Sequence, residues 1–331
     1  MKRLWLAVLA VLLLALLLQG CGSEEQADKE KKQTIILYSE LEPKLSLALA
    51  EAYSKSTKGK TRVKLITELQ EDGIKPDLVI AEKKTLNGLL MDGRLQVLEC
   101  AAGRELPEQF RQPEGYWYGA FYDPTVFLVN QEFSRRVGQE NIRSWEDLLR
   151  LGELRLVMEN LTNTNSTKNF LGGFTEARGE AEAMSYLWNI NSRIVKYANF
   201  PFSPVRMVAM GQADVAVTRQ SYVYKYLESS FPAYIVQPRE GSPVNLYGVG
   251  CFKEAQHTHQ VAELMDWLIT SREMQRISRI NETGYSFILA QATRGERIDY
   301  KKLWLNNKYL VAVEQERLTG RWLEIARFAD R

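Results

Sequence analysis

Residues that could bind an anion are concentrated in one short segment, Asn160–Thr167, in which all residues but one are Asn, Thr or Ser. The segment follows a predicted strand, Arg155–Met158, and precedes a helix that the pattern begins at about Lys168. Hydroxyl and amide groups there can join the free backbone N–H groups of a helix N-terminus to hold an anion. The alternative is that Thr164 or Ser166 only caps the helix. The ligand-binding residues predicted here are Thr162, Asn163, Thr164, Ser166 and Thr167.

Phenols follow another predicted strand, which ends at Val217. At its carboxyl end the chain continues as Thr218–Tyr226, where Tyr222 is predicted to bind ligand. A phenol can donate a hydrogen bond, stack on a ligand or bind a hard metal ion. Its ordinary pKa of about 10 means that the phenolate needs a strong Lewis acid. For Tyr224 and Tyr226, the alternative is that their rings pack against the core as part of the helix that follows the strand.

A third polar group follows the first predicted strand, Thr34–Ser39. Open α/β sheets bind ligands outside the carboxyl ends of their strands. We therefore expect Ser39 and Glu40 to face a ligand.

The elements that must position these residues alternate between strands and helices. Short apolar, β-branched runs predict buried strands, and apolar residues at helical spacing predict the helices between them. The predicted order is strand Thr34–Ser39, helix Leu45–Lys55, strand Arg62–Ile66, strand Asp77–Ile80 and helix Thr85–Gly93. This order indicates an open α/β sheet.

Two segments are long enough to connect one compact unit to another. The aromatic stretch that begins at Tyr116 runs into Thr125–Asn130, and Tyr234–Val249 can cross back. Ser144 with Asp147 predicts a capped helix start after the first crossing. A chain of 331 residues fits two such units.

The charge is nearly balanced, with 43 Lys and Arg against 41 Asp and Glu. The excess lies at Lys2 and Arg3, in a segment without acidic residues, so the rest of the chain is neutral. This balance gives no broad electrostatic footprint for nucleic acid. An uncharged run, Leu4–Leu18, is short for a membrane span but fits the apolar part of a signal peptide, predicted as residues 1–20.

Cys100 and Cys251 leave two interpretations open, a disulfide in an oxidising compartment or two buried thiols. His257 and His259 precede the predicted helix Val261–Ser271 and are expected on the surface. No Gly-x-Ser-x-Gly, His-Glu-x-x-His or Gly-rich phosphate motif occurs in the sequence. The sequence therefore predicts a protein that is not an enzyme and needs no cofactor.

The segment Leu18–Cys21 resembles the lipobox of bacterial lipoproteins. The resemblance implies a lipid such as palmitate on Cys21 and a flexible tether over residues 21–33. The mature chain would then be extracytoplasmic and anchored to a bacterial membrane.

The order of segments from Thr34 to Ala326 resembles the extracellular solute-binding proteins of ABC importers, and in particular the ferric-ion-binding group. The resemblance rests on the following segments: Tyr38–Ser39, Tyr116–Asn130, Ser144–Leu148, the Thr/Asn/Ser segment before Phe170–Leu171, Gly211–Ala216, Val244–Val249, Trp267–Gln275 and Asp299–Trp322. It implies a type II periplasmic-binding-protein fold of two lobes joined by crossover strands, with the ligand in the cleft between them. Lobe 1 is predicted as residues 34–124 plus 245–331, and lobe 2 as residues 125–244.

The same resemblance suggests what the ligand site holds. Ferric members bind iron with a consecutive Tyr pair, which here corresponds to Ser221 and Tyr222, and a His ligand of some relatives is replaced by Glu42. A metal set of Glu42, Tyr222 and Tyr224 is predicted if Fe(III) is carried with a synergistic anion at Thr162–Thr167. Other relatives bind phosphonates or organic anions without metal.

The function implied is capture of a small anion or metal–anion complex by cleft closure, and delivery to an ABC permease and its ATPase. A monomer is expected. Two alternatives are a binding lipoprotein that signals to a membrane sensor, and an extracytoplasmic hydrolase, for which the sequence offers only a compartment and a cleft.

Overall fold

The computed structural model describes residues 33–69, 73–138, 142–227, 230–280, 283–288 and 299–327. The predicted signal peptide, Cys21 and all of the tether except its last residue lie outside these described residues. Within them, no helix combines the length and the apolar composition needed to cross a bilayer.

The predicted alternation of strands and helices is confirmed. The strands are β1 Gln33–Ser39, β2 Thr61–Ile66, β3 Leu78–Glu82, β4 Leu95–Gln96, β5 Trp117–Asn130, β6 Leu156–Glu159, β7 Ile194–Ala198, β8 Val215–Arg219, β9 Ala233–Val236, β10 Ser242–Phe252, β11 Ser286–Phe287 and β12 Leu303–Trp304. The helices are α1 Pro43–Ser56, α2 Lys83–Met91, α3 Ala101–Arg104, α4 Gln131–Val137, α5 Trp145–Arg150, α6 Asn165–Arg178, α7 Glu180–Asn191, α8 Phe202–Ala209, α9 Gln220–Tyr226, α10 Thr258–Thr270, α11 Arg272–Ile280 and α12 Ala312–Arg327.

Two helix ends have the capping features that the sequence predicted. Gly93, just past α2, has a φ of +66°, the left-handed conformation that favours glycine after a helix. The Ser144 Oγ accepts a hydrogen bond from the N–H of Asp147 at the start of α5. A third end differs from the prediction, because α6 begins at Asn165 rather than near Lys168.

Eight of the described strands follow one path, in the order β2-β1-β3-β10-β5-β8-β6-β7, while β4 and β12 pair with β10, and β9 and β11 pair with β5. Strand β1 pairs in parallel with β2 and β3, and β6 pairs in parallel with β7 and β8. The long strand β5 joins the two groups, since Trp117–Pro124 pairs with β10 and Thr125–Val129 pairs with β8. All of its residues are buried, as expected for a strand covered on both faces.

Each group of strands has its own core. The core of the first group contains Leu37, Ile80 and Phe121, and the second group is covered by separate clusters on its two faces. Helix α12 packs into one of these second clusters through Leu318 and Trp322. This packing differs from the prediction that all of 245–331 belongs to lobe 1. We propose that lobe 2 comprises residues 125–244 together with α12, and the other predicted boundaries stay predictions.

The two cysteines of the body are free thiols. Cys100 and Cys251 are both buried, and burial raises the pKa of Cys100 to about 12 and that of Cys251 to about 11. Cys100 Sγ donates to Asp266 Oδ1 at 3.0 Å. Of the two interpretations left open by the sequence, the structure shows the buried thiols.

Candidate functional site: a polar cleft between the two sheets

A cavity of about 430 Å³ lies where the two groups of strands meet. Strands β1, β3 and β8 end at this cavity, as expected for ligand sites of open α/β sheets. The first group contributes Glu40, Leu41, Glu42, Pro43, Glu82, Thr85, Tyr247 and Tyr285. The second contributes Thr164, Asn165, Ser166, Arg219, Ser221, Tyr222 and Lys225. The cavity is therefore shared between the two lobes.

Six of the predicted residues line this cavity, and the others lie elsewhere. The residues at the cavity are Glu40, Glu42, Thr164, Ser166, Ser221 and Tyr222. Ser39 Oγ instead lies 2.8 Å from Ser46 Oγ, and Thr162 Oγ1 donates to Asn160 Oδ1 at 2.9 Å. Asn163 Nδ2 donates to the carbonyl oxygen of Asn199 at 3.0 Å.

Thr167, Tyr224 and the two histidines also lie outside the main cavity. Thr167 lines a smaller adjoining pocket, and Tyr224 is 46% exposed on α9. His257 occupies the N-cap position of α10, and His259 lies on the surface beside Glu263. As ligand residues, the predicted set stays a prediction.

Arg219, which was not among the predicted site residues, is the central cation of the cleft. Its guanidinium carbon lies 3.9 Å from the centre of the Tyr222 ring. Its Nη1 lies 3.3 Å from Tyr247 Oη, 3.5 Å from Asp123 Oδ2 and 3.6 Å from Glu82 Oε1. Only 14% of the side chain is exposed, so the charge depends on these neighbours for stabilisation.

The two carboxylates beside Arg219 are themselves held in place. Asp123 is fully buried and accepts from the N–H of Ser221 at 3.0 Å and from its hydroxyl at 2.6 Å. Burial raises the pKa of Asp123, although Arg219 and Ser221 act in the opposite direction. Glu82 Oε1 accepts from Tyr247 Oη at 3.0 Å. The hydroxyl of Ser221 is thus already used by the protein.

The predicted anion segment forms the N-terminus of α6. Thr164 is the N-cap, and its Oγ1 accepts from the N–H of Thr167 while Thr167 Oγ1 accepts from the N–H of Thr164. The interpretation of Thr164 as a helix cap is therefore correct. Thr164 and the two residues after it also line the cavity. The first residues of the helix, Asn165 and Ser166, line the cavity, where their N–H groups have no acceptor within the helix.

Lysines surround this helix start. Lys84 Nζ donates to Asn165 Oδ1 at 2.8 Å and to Gln315 Oε1 at 2.9 Å. Burial lowers the pKa of Lys84, and the positive charge of Lys168 lowers it further. Lys225, on α9, lines the cavity itself. The positive end of a helix together with these lysines favours a bound anion.

The acidic residues that follow β1 are engaged by the protein. Glu40 Oε2 accepts from the N–H of Glu82 at 2.9 Å, and Oε1 accepts from Thr85 Oγ1 at 3.0 Å. Burial raises the pKa of Glu40, and these hydrogen bonds lower it in part. Glu42 Oε2 caps α1 by accepting from the N–H of Leu45 at 3.2 Å.

The phenols of the cleft are held in their neutral form. Burial raises the pKa of Tyr222 to about 12, and it raises those of Tyr247 and Tyr285 as well. Within the described residues, no group of three or more His, Cys, Asp or Glu side chains is placed to hold a metal ion. The predicted metal set of Glu42, Tyr222 and Tyr224 stays a prediction.

Two lobes joined by β5 and β10, with a polar cavity between them, define a two-lobed ligand-binding protein. The chain belongs to the bacterial extracellular solute-binding protein family, whose model matches residues 73–312. This membership confirms the resemblance seen in the sequence.

Individual relatives agree with this assignment. The chain is 27% identical to an uncharacterised protein of Haemophilus influenzae over 244 residues, which are 68% of each chain. It is 20% identical to iron uptake protein A1 of Synechocystis over 302 residues, 81% of this chain and 82% of that protein. The solved periplasmic binding protein AfuA of Actinobacillus pleuropneumoniae, with fructose-6-phosphate bound, superposes with a TM-score of 0.65 at 16% identity, covering 89% of this chain and 99% of that one. The structural likeness confirms the predicted two-lobed type II fold.

Proposed function

We propose that the chain is the extracytoplasmic binding component of an ABC importer and captures a small anionic solute in the cleft between its lobes. One observation carries the proposal: the N-terminus of α6 lines a cavity to which both lobes contribute. The sugar phosphate bound to AfuA supports an anionic ligand, and the family membership supports capture of a solute.

The anionic group is expected at Asn165 and Ser166, where N–H groups without an acceptor in the helix lie at the positive end of α6. Arg219 supplies a second feature of an anion site. Its guanidinium, of which a small part is exposed, lines the cavity and adds positive charge there. Lys84 and Lys225 add positive charge on either side of the helix start.

A solute without metal fits the cleft better than Fe(III). The Arg219 guanidinium lies over the Tyr222 ring, so a trivalent cation on that phenol would face a fixed positive charge. Burial raises the pKa of Tyr222, which further opposes the phenolate. Fe(III) with a synergistic anion stays the second candidate, because iron uptake protein A1 is a relative.

Delivery follows from cleft closure. A solute that contacts both lobes stabilises the closed state over the open one, and the closed form would dock on the permease. We further propose a lipid on Cys21 that keeps a monomeric protein at the membrane. A sensory role remains the alternative; binding of the closed form to a receptor and not to a permease would establish it.

A charge introduced at the helix start tests the proposal without harming the fold. Asn165→Asp is isosteric, and an acidic residue in the first turn stabilises a helix. It also places a negative charge where the anion is expected. We predict that Asn165→Asp weakens binding of phosphate or a sugar phosphate by at least about ten-fold in calorimetry, equivalent to about 1.4 kcal/mol.

Asn163→Asp is the matched control, because Asn163 is exposed in the same segment but does not line the cavity. Its effect on affinity is expected to be small. Equal affinity of Asn165→Asp and the unmodified protein, with both folded, would contradict the proposed anion site.

A further inference from the structure

A basic stretch of the chain takes no part in the cleft. From Lys55 to Lys64 the sequence contains five basic residues and no acidic one. The stretch covers the last turn of α1, the turn that follows and the first part of β2. In a body whose charges otherwise balance, such a local excess of positive charge attracts an anionic partner.

The basic stretch borders a surface groove of about 780 Å³ between α1 and β2. Four apolar residues line this groove: Leu47, Ala50, Val63 and Leu65. Its charged lining consists of three exposed basic side chains, those of Lys55, Lys58 and Arg62, against one acidic side chain, that of Glu51. The groove therefore combines an apolar surface with a net positive charge.

Protection of a sheet edge explains only part of this pattern. Strand β2 lies at one end of the sheet path, and among the described strands it pairs with β1 alone. Charged side chains such as those of Arg62 and Lys64 discourage such an edge from pairing with another chain. Lys55 and Lys58 are not on the strand, however, and edge protection accounts neither for them nor for the apolar groove beside them.

The chain enters the described structure at this groove. Gln33, the first residue of β1, pairs with Thr61, and its N–H donates to the carbonyl oxygen of Lys60 at 3.0 Å. Residues 21–32, which precede it, can span at most about 40 Å. A lipid on Cys21 would therefore hold the groove close to the membrane surface.

The basic end of the groove and the solute cleft lie at opposite ends of the same strand. Lys58 and Thr61 lie beside the amino end of β1, whereas the carboxyl end of β1 leads to Glu40 at the cleft. A surface that covered the basic end of the groove would leave the cleft open to solute.

An anionic lipid surface matches both properties of the groove. Basic side chains are attracted to anionic headgroups, and an exposed apolar side chain can enter the boundary between headgroups and acyl chains. Leu47, which is 56% exposed, is such a side chain. The tether is a poorer match, because residues 22–32 contain four acidic residues but only Ala27 as an apolar side chain.

We propose that the groove between α1 and β2 docks on an anionic phospholipid surface and so orients the anchored protein with its cleft accessible to solute. The inference draws on the proposed membrane attachment through Cys21. Each basic side chain close to an anionic surface strengthens binding about five-fold, and salt weakens this attraction.

Acylation of lysines in the purified full-length protein, measured by mass spectrometry, tests the docking. The protein is compared on vesicles of phosphatidylcholine alone and of equal parts phosphatidylcholine and phosphatidylglycerol. We expect Lys55 and Lys58 to react at least about five-fold more slowly on the vesicles with phosphatidylglycerol, and to recover in about 1 M salt. Lys196, exposed on β7 at the other end of the sheet path, should react equally on both.

Two charge reversals on edge strands form a matched pair of variants. Arg62→Glu changes an exposed residue of β2 that lines the groove, and we expect it to remove most of the slowing at Lys55 and Lys58. Lys196→Glu makes the same change of charge on β7 and should leave the slowing intact. Full slowing in Arg62→Glu would overturn the proposal.

The outcomes separate docking from anchoring. Sedimentation with both kinds of vesicle, with equal reaction of Lys55 and Lys58 on each, refutes the docking and leaves the lipid anchor standing. Sedimentation only with phosphatidylglycerol vesicles, with slow reaction of these lysines, supports the docking and refutes the anchor, and sedimentation with neither refutes both. Equally slow reaction in solution without vesicles would show that the chain's own tether covers the groove, and would also refute the docking.

Discussion

Arg219 Nη1 lies 3.6 Å from Glu82 Oε1, and this ion pair joins the end of β8 in the second group of strands to the end of β3 in the first. The two side chains are 14% and 20% exposed, so solvent screens the pair only in part. A contact that spans the cleft in this way is expected to favour a closed arrangement of the lobes over an open one.

Glu82→Gln is therefore expected to shift the protein towards its open form. Asp123 remains to pair with Arg219, and Tyr247 can still donate to the new amide oxygen, so the fold should persist. We predict about a five-fold loss of phosphate affinity, near 1 kcal/mol, and a larger radius of gyration in small-angle scattering of the ligand-free protein.

The control for this change is Glu254→Gln, since Glu254 forms an exposed pair with Lys75 on the surface. It should change neither the phosphate affinity nor the radius of gyration. An unchanged radius and affinity in Glu82→Gln would show that the ion pair does not control closure.

The helix start at Thr164 combines a structural and a binding role. Thr164→Ala removes the N-cap of α6 and is expected to cost about 1 kcal/mol of unfolding free energy. Thr164→Ala with Ser166→Ala should also weaken binding of the anion. Ser144→Ala removes the comparable cap of α5, so it should reduce the unfolding free energy and leave affinity intact. Unchanged affinity in the double variant would argue against the anion site.

Glu159 makes the unfolding free energy depend on pH. Burial raises the pKa of this carboxyl from 4.5 to about 7, so the folded protein holds the proton more tightly than the unfolded chain. The resulting stabilisation is fully present below pH 4.5 and is lost as the pH rises through about 7. It amounts to roughly 3 kcal/mol at most.

Urea unfolding of the ligand-free protein and of Glu159→Gln measures this effect. The advantage of the unmodified protein, which is its unfolding free energy minus that of Glu159→Gln, should shrink as the pH rises from 4.5 to 7. An advantage that stays constant or grows over that interval would contradict the assignment to Glu159.

The last helix is expected to contribute to the stability of the second lobe. Trp322 is 2% exposed in the core that contains Trp145 and Phe174, so Trp322→Ala should cost about 3–5 kcal/mol of unfolding free energy. Trp188, which is 53% exposed on α7, provides the same substitution on the surface, with an expected effect within about 0.5 kcal/mol. Similar losses for the two variants would refute the packing of α12.

The fold was predictable because its long strands have a simple signature. Strand β5 is buried throughout, so its apolar and aromatic run identified the crossing between lobes. The start of α6 was harder to place, because Asn165 and Ser166 read as loop residues although Thr164 and Thr167 form a reciprocal cap. The packing of α12 could not be inferred, since an amphipathic pattern shows that a face is buried but not against which core.

The candidate site was predictable only where chemistry is local in the sequence. Thr164, Ser166 and Tyr222 were found because each follows a predicted strand. Arg219 and Glu82 also end strands, and that signal could have identified both residues. Their pairing depends on strands far apart in the chain meeting at one edge, which no local pattern encodes.

We propose that the cleft binds a small anion without metal. Native mass spectrometry of the purified protein, combined with elemental analysis, tests it most directly. The claim predicts a mass increase that matches a small organic anion, lost on acid denaturation, with no stoichiometric iron. One Fe(III) per chain with a phenolate-to-iron absorption band, abolished in Tyr222→Phe, would contradict it.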